Sequence, residues 1–307
     1  MLTKTQLVIT GAGLFIVIVF GLMFAGVIPG LKKDDGPAWE GKLVVWGFDD
    51  RKWLEDTLGA FSTKNPGVRI EYKQFRNEAE YEAALLDTLA AGSGPDVFAV
   101  RNTGLLKHLN KIVPLAPEKL TPLQLRQFFP QVVERDFTVE GKIYALPFAI
   151  DTLSMIYNRD IFNQESVITP PATWDDFIAL VPKITRVDQS RRIERAAAAI
   201  GGSTKNIRRA ADLLSLLMLQ NGVPMVTADA TSPKFSTHEG AEALTFYTQF
   251  TNTGSNVYTW NNGLPNALDL FIQGKVAIIF DYAPTLATIR ERNPLMNIDT
   301  APVPQRK

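Results

Sequence analysis

The sequence predicts an α/β protein of two domains behind one N-terminal transmembrane helix. Three observations carry that expectation. Strand and helix periodicities alternate from residue 42 to residue 100. A second α/β pattern ends in an amphipathic helix that turns at Gly274 into a wholly apolar strand. Residues 7–28, "LVITGAGLFIVIVFGLMFAGVI", are an uncharged run with the roughly 20-residue length that a membrane-spanning helix needs.

The apolar run is longer than the roughly 7–15 residues of a cleavable signal, and "FAGVIPG" is a poor cleavage site, so it reads as an uncleaved anchor over residues 1–28. Residues 29–40 are a polar Pro/Gly linker, whose reach of at most ~40 Å keeps the rest of the chain close to the membrane.

"KLVVWG" is a short strand, and "DDRKWLEDTLGAF" a helix with Trp53, Leu54, Thr57, Leu58 and Phe61 at helical spacing and Asp49 or Asp50 as its cap. "KNPG" stops it. "VRIEYKQF" alternates as a second strand. Asn77 opens a helix with Glu80 three positions on and Tyr81, Leu85 and Leu89 facing inward, and "GSGPD" turns the chain into a third strand, "DVFAV". Strand, helix, strand, helix, strand predicts a doubly wound domain with a parallel core. Solutes in such sheets bind beyond the strands' carboxyl ends. The residues there are Gly47, Phe48, Asp49, Asp50 and Arg51 after the first strand and Arg101 and Asn102 after the third.

"FTVEGKIYALP" is a hairpin around Glu140 and Gly141. In "PPATWDDFIAL", Thr173 caps a helix with Asp176 at its third position. "RVDQSRRIERAAAAIGG" fits either a helix through its alanines or a hairpin arm. Helices come next around "AADLLSLLMLQNG" and "HEGAEALTFYTQF", then "NALDLFIQGKVAIIFDY".

Composition excludes several functions. With 46% hydrophobic and 21% charged residues, 307 residues suffice for two cores, and the 32 basic and 32 acidic residues cancel with no basic–aromatic cluster, which excludes nucleic acid as a partner. Cysteine is absent, which removes thiol nucleophiles, disulfides and thiolate metal sites. His108 and His238 stand apart from any second ligand at metal-site spacing, so no metal and no cofactor is expected.

In that order, "GKLVVWG", "NPGVRIEY", "GSGPDVFAV", "EGKIYALPFAIDTLSMIYNRDIF", "PPATWDDF" and "FIQGKVAIIF" resemble the extracellular solute-binding proteins of ABC importers, in particular the group that includes the maltose-binding proteins. The resemblance runs from about residue 41 to the end. It implies a two-lobe periplasmic-binding-protein-like fold with a hinge: a first lobe over residues 41–148, a second over residues 149–307, and a chain ending before the C-terminal portion of the family fold. It also implies a monomer that is not an enzyme. Such a protein captures a solute, by this resemblance a saccharide, between its lobes for ABC permease subunits, on the extracytoplasmic side of a cell membrane that its anchor crosses once.

Matched position by position, Asp50, Arg51 and Asp151 fall where the family places charged sugar contacts. Phe48 and Arg101 join them from the strand ends, Asn206 and Arg208 offer polar contacts from the second lobe, and Trp260 and Tyr282 are candidate aromatic faces. Two departures, Val100 in place of an aromatic and a "TKNIRRAADLL" segment without Tyr or Trp, point away from maltodextrin toward other saccharides, polyols or phosphorylated sugars. A sensory receptor and a binder of peptides or another non-sugar solute remain the alternatives. A glycosidase with Asp50 and Asp151 flanking a sugar is a different class, as is a purely structural membrane protein.

Overall fold

The computed structural model describes residues 40–227 and 231–306. The expected anchor, and the linker apart from Glu40, lie outside the described residues. Among the described residues no helix is long and apolar enough to cross a membrane. The chain divides into two compact units between Phe148 and Ala149.

In the first unit, β1 (Gly41–Gly47) lies between β2 (Val68–Gln74) and β3 (Val97–Phe98), all parallel, with Trp46 opposite Lys73 on one side and Phe98 on the other. This is the parallel core that the alternation predicts. The third strand is shorter than "DVFAV". Asp96 takes the backbone N–H of Val44 on its carboxylate at 2.8 Å, so a side chain replaces the ladder bond that another strand residue would make.

Helix α1 (Arg51–Lys64) is capped by Asp50, whose carboxylate accepts the N–H of Lys52 at 2.9 Å. Its inward face differs from the expected stripe: Leu54 is buried and Leu58 half-buried, while Trp53 is 78% exposed. At roughly 100° per residue, Trp53 lies about 120° round the helix from the Leu54–Leu58 direction. Helix α2 (Glu78–Ala90) is capped by Asn77 and buries Tyr81 and Leu85. In their aromatic core Phe75 meets Tyr81 edge-on at 5.1 Å and Trp46 at a tilt at 4.9 Å.

Three short helices come next: α3 (Leu105–His108), α4 (Pro122–Phe128) and α5 (Gln131–Phe137). The hairpin of β4 (Thr138–Val139) and β5 (Lys142–Ile143) turns through Glu140 and Gly141, both at positive φ (50° and 74°), as a two-residue turn with the strand twist requires.

The second unit is built on a mixed sheet of five strands. Its central strand β9 (Val276–Asp281) is buried at every residue, flanked by β6 (Ser154–Asn158, antiparallel) and β8 (Ile193–Ala198, parallel). β10 (Ile298–Pro302) and β7 (Arg186–Val187) form the edges. The alanine run is a hairpin arm, not a helix. Asp188 Oδ1 accepts the N–H groups of Ser190 and Arg192 in the turn, and Ala196–Ala199 are at most 1% exposed, so their small side chains fit a close-packed layer.

Around the sheet stand α6 (Arg159–Gln164), α7 (Trp174–Ile184), α8 (Ala210–Gln220), α9 (His238–Thr248), α10 (Ala267–Ile272) and α11 (Pro284–Arg292). Thr173 and Asp176 form a reciprocal capping box on α7, as their spacing predicts. Gly274, at φ 72°, ends α10 in a left-handed turn that delivers the chain to β9.

Register fixes which loops share an end of this sheet. Ser154 pairs with Asp281, so the entry to β6 and the exit from β9 lie together, joined by the exit from the parallel β8.

Candidate functional site

Each unit gathers polar side chains at one end of its sheet. In the first, the loop after β1 is held from behind. Tyr72 donates its hydroxyl to the carbonyl of Asp49 at 2.8 Å, and that hydroxyl stands 2.7 Å from where a Cβ on Gly47 would lie, so a side chain there would have to displace the Tyr72 ring. Burial, then the negative charge of Asp49, push the Tyr72 phenol above its ordinary value, which keeps it protonated as a donor. The half-buried ring of Phe48 packs on Tyr81 at 4.5 Å, and Gln74 donates to its carbonyl. On this support stand the exposed carboxylate of Asp50 and the exposed Arg51. Arg101 joins the exposed Glu78 in an ion pair of 2.8 Å.

In the second unit the centre is Asp281, whose side chain is 6% exposed. It accepts from Arg208 at 2.9 Å, from Arg209 at 3.2 Å and from the N–H of Tyr282 at 2.9 Å. Arg208 also donates to Thr285 at 2.7 Å while leaving half of its side chain in solvent. Arg209 lies over the Tyr282 ring at 4.6 Å and pairs with Asp212 at 3.6 Å. The Tyr282 phenol is pushed up by burial and then by Asp212, against the opposing charge of Arg209. Asp151 stands at the same end: its Oδ1 accepts from Thr152 at 2.9 Å and from Ala283 at 3.5 Å, and the carboxylate is otherwise exposed. A cavity of about 90 Å³ opens beside Arg208, Arg209, Asn266 and Asp281.

Thus Asp151 and Tyr282 come together in the second unit, and Phe48, Asp50 and Arg51 in the first. Asn206 and Trp260 are placed otherwise. Trp260 is fully buried and donates its indole N–H to Asn206 Oδ1 at 3.2 Å. Asn206 spends its own amide on the carbonyls of Asn261 and Leu264. Together they tie two loops of the core and offer a solute neither a free polar atom nor a ring face.

Asp281, Arg209 and Thr285 were not singled out from sequence. The available signal was a carboxylate closing the apolar run "VAIIFD". A charge ending a strand that is buried on both faces needs partners, and those partners are more than 70 residues away in sequence.

Two α/β units thus each carry charged and aromatic groups at one end of a sheet. Residues 57–307 match the family described as bacterial extracellular solute-binding protein, and the chain belongs to that family. The family binds solutes and is not a family of enzymes, as expected. A binding protein of Brucella abortus (strain 2308) is 22% identical over 294 residues, which cover 91% of this chain and 68% of that protein. A maltotriose-binding protein of Pyrococcus abyssi is 29% identical over 148 residues, 47% of this chain and 30% of that one. The solved cyclic α-maltosyl-1,6-maltose binding protein of Arthrobacter globiformis has the same fold, with a TM-score of 0.70 at 18% identity over 88% of this chain and 67% of that chain.

Proposed function

We propose that this protein captures a neutral saccharide between its two units and presents it to the permease of an ABC importer. It does so as a monomer held on the extracytoplasmic side of the membrane by residues 7–28. The reading rests on one observation above the others: Asp151, Arg208 and Tyr282 gather at the Ser154–Asp281 end of the second sheet. A carboxylate, a guanidinium and a phenol offer acceptors, donors and a flat ring face, the set that hydroxyls and the apolar face of a sugar require. Asp151, Asp212 and Asp281 stand against Arg208 and Arg209, so the cluster carries no excess positive charge to attract an anion. That favours neutral saccharides or polyols over phosphorylated sugars. Family membership and the saccharides bound by the relatives above support the same class.

In this mechanism Phe48, Asp50, Arg51 and Arg101 contribute from the first unit. A solute that contacts both units only when they close shifts the equilibrium toward the closed state, and closure removes the water that weakens each polar contact. Asn206 and Trp260 support the second unit's core without touching the solute.

The test is a thermal-shift screen of the full chain in a detergent without a sugar headgroup, against maltotriose, trehalose, raffinose and sorbitol, with glycine and a dipeptide as controls. A solute at 100 times its dissociation constant adds about 2.7 kcal/mol to stability. Stabilisation by a saccharide or polyol that weakens at least tenfold in Asp151→Asn is the expected result. Stabilisation by the amino acid or dipeptide alone would refute the saccharide reading.

A further inference from the structure

We propose that Trp53 is the aromatic platform of the first unit, stacking on the apolar face of a pyranose ring while Asp50 and Arg51 engage its hydroxyls. This rests on the saccharide reading and deepens it. Trp53 stands out among the tryptophans of the described residues. Trp46, Trp174 and Trp260 are at most 6% exposed, whereas Trp53 is 78% exposed, makes no ring–ring contact and donates its indole N–H to no group among the described residues. Indole is a large apolar surface, and leaving it in water forfeits burial that the other three tryptophans obtain.

Its place in the fold gives the exposure a use. Trp53 is the third residue of α1, which begins at the carboxyl end of β1, and helical side chains lean toward their helix's N terminus. The ring therefore leans toward the Asp49–Asp50 turn, at the sheet end where solutes bind in open α/β domains.

The backbone beneath it is fixed on three sides. Asp50 caps the helix, Leu54 is buried next to it, and Tyr72 pins the Asp49 carbonyl. With the backbone fixed, only the two side-chain torsions of the indole remain to be ordered when a solute arrives. The indole N–H is free to donate to a sugar hydroxyl at the ring's edge.

The experiment uses the full chain, its Trp53→Ala and Trp53→Phe variants, and isothermal titration with maltotriose, trehalose and raffinose as ring-bearing probes and sorbitol as an acyclic polyol. Because Trp53 is exposed, both variants should melt within about 2 °C of the parent. Binding of the ring-bearing probes should weaken about tenfold in Trp53→Ala and no more than about threefold in Trp53→Phe, and their binding should shield the parent's Trp53 from acrylamide quenching. Equal affinity in parent and Trp53→Ala for a ring-bearing probe overturns this inference and leaves the saccharide reading standing. Failure of the parent to bind any of the four probes defeats the saccharide reading itself, and the inference falls with it.

Discussion

Replacing Asp281 by Asn tests whether the second unit's site is organised from its buried centre. The substitution preserves volume but removes the charge facing two guanidinium groups and leaves an NH2 where a carboxylate oxygen accepted. Asp281 receives three bonds of 2.9–3.2 Å, two from arginines. Breaking one partner of a fully buried ion pair costs about 3–5 kcal/mol. Here the arginines keep access to water, with side chains 53% and 33% exposed, so their loss is partly offset. Asn also retains one acceptor. The expected loss is about 2–3 kcal/mol, within the range for hydrogen bonds to charged groups. For a unit of this size it should lower Tm by about 5–10 °C. Urea unfolding gives the free energy directly, and titration with the solute found by the screen should show weaker binding, because Arg208 is no longer held between Asp281 and Thr285. A loss below about 0.5 kcal/mol, the size of an ordinary surface substitution, with unchanged affinity would show that Asp281 does not organise the cluster.

Asn206→Ala should act on stability alone. It leaves the Trp260 indole N–H and the carbonyls of Asn261 and Leu264 without their partner, at about 2–3 kcal/mol, while the folded fraction binds solute as the parent does; an affinity loss at unchanged stability would return Asn206 to the binding surface. Acid stability of the first unit should depend on Glu82. The hydrogen bond from Lys107, against burial and with help from His108, holds its carboxyl below the ordinary value of 4.5. A carboxyl depressed in the folded state contributes stability above its unfolded pKa and loses it as pH falls through the folded one, so melting of the parent should drop more steeply below about pH 4.5 than that of Glu82→Gln. Equal acid slopes for the two proteins would count against that account.

The sequence made visible what is decided over a few residues. Asn77 with its helix, the Thr173–Asp176 box, the Glu140–Gly141 turn and the strand after Gly274 each combine a backbone requirement with the residue that meets it. Chain order then leads from such segments to a parallel first sheet. Periodicity was less informative where two faces of one helix both carry apolar residues: α1 shows Trp53 and Leu54 side by side, and only packing against β2 decides that Leu54 turns inward. The alanine run was undecided for a similar reason. Alanine favours helix by propensity, yet its small side chain is also what a crowded sheet layer accepts, and the Asp188 turn tips the balance.

The candidate site was legible in its parts rather than in its assembly. Asp50 was visible as a charge just after an apolar strand and Asp151 as a charge inside an apolar stretch, and in the fold both are exposed. Asp50 has a structural answer in its cap, so its role toward a solute must come from the carboxylate's remaining lone pairs. Asp151 has less of one: an N–H of its own neighbour and a long contact to Ala283 leave most of its acceptor capacity open. Asp281 is the reverse case, fully engaged and buried, and its partners come from a loop more than 70 residues earlier in the chain. Burial therefore separates two kinds of charge in this unit: Asp281 holds the arginines, and Asp151, with the exposed edge of Arg208, retains the capacity to bind.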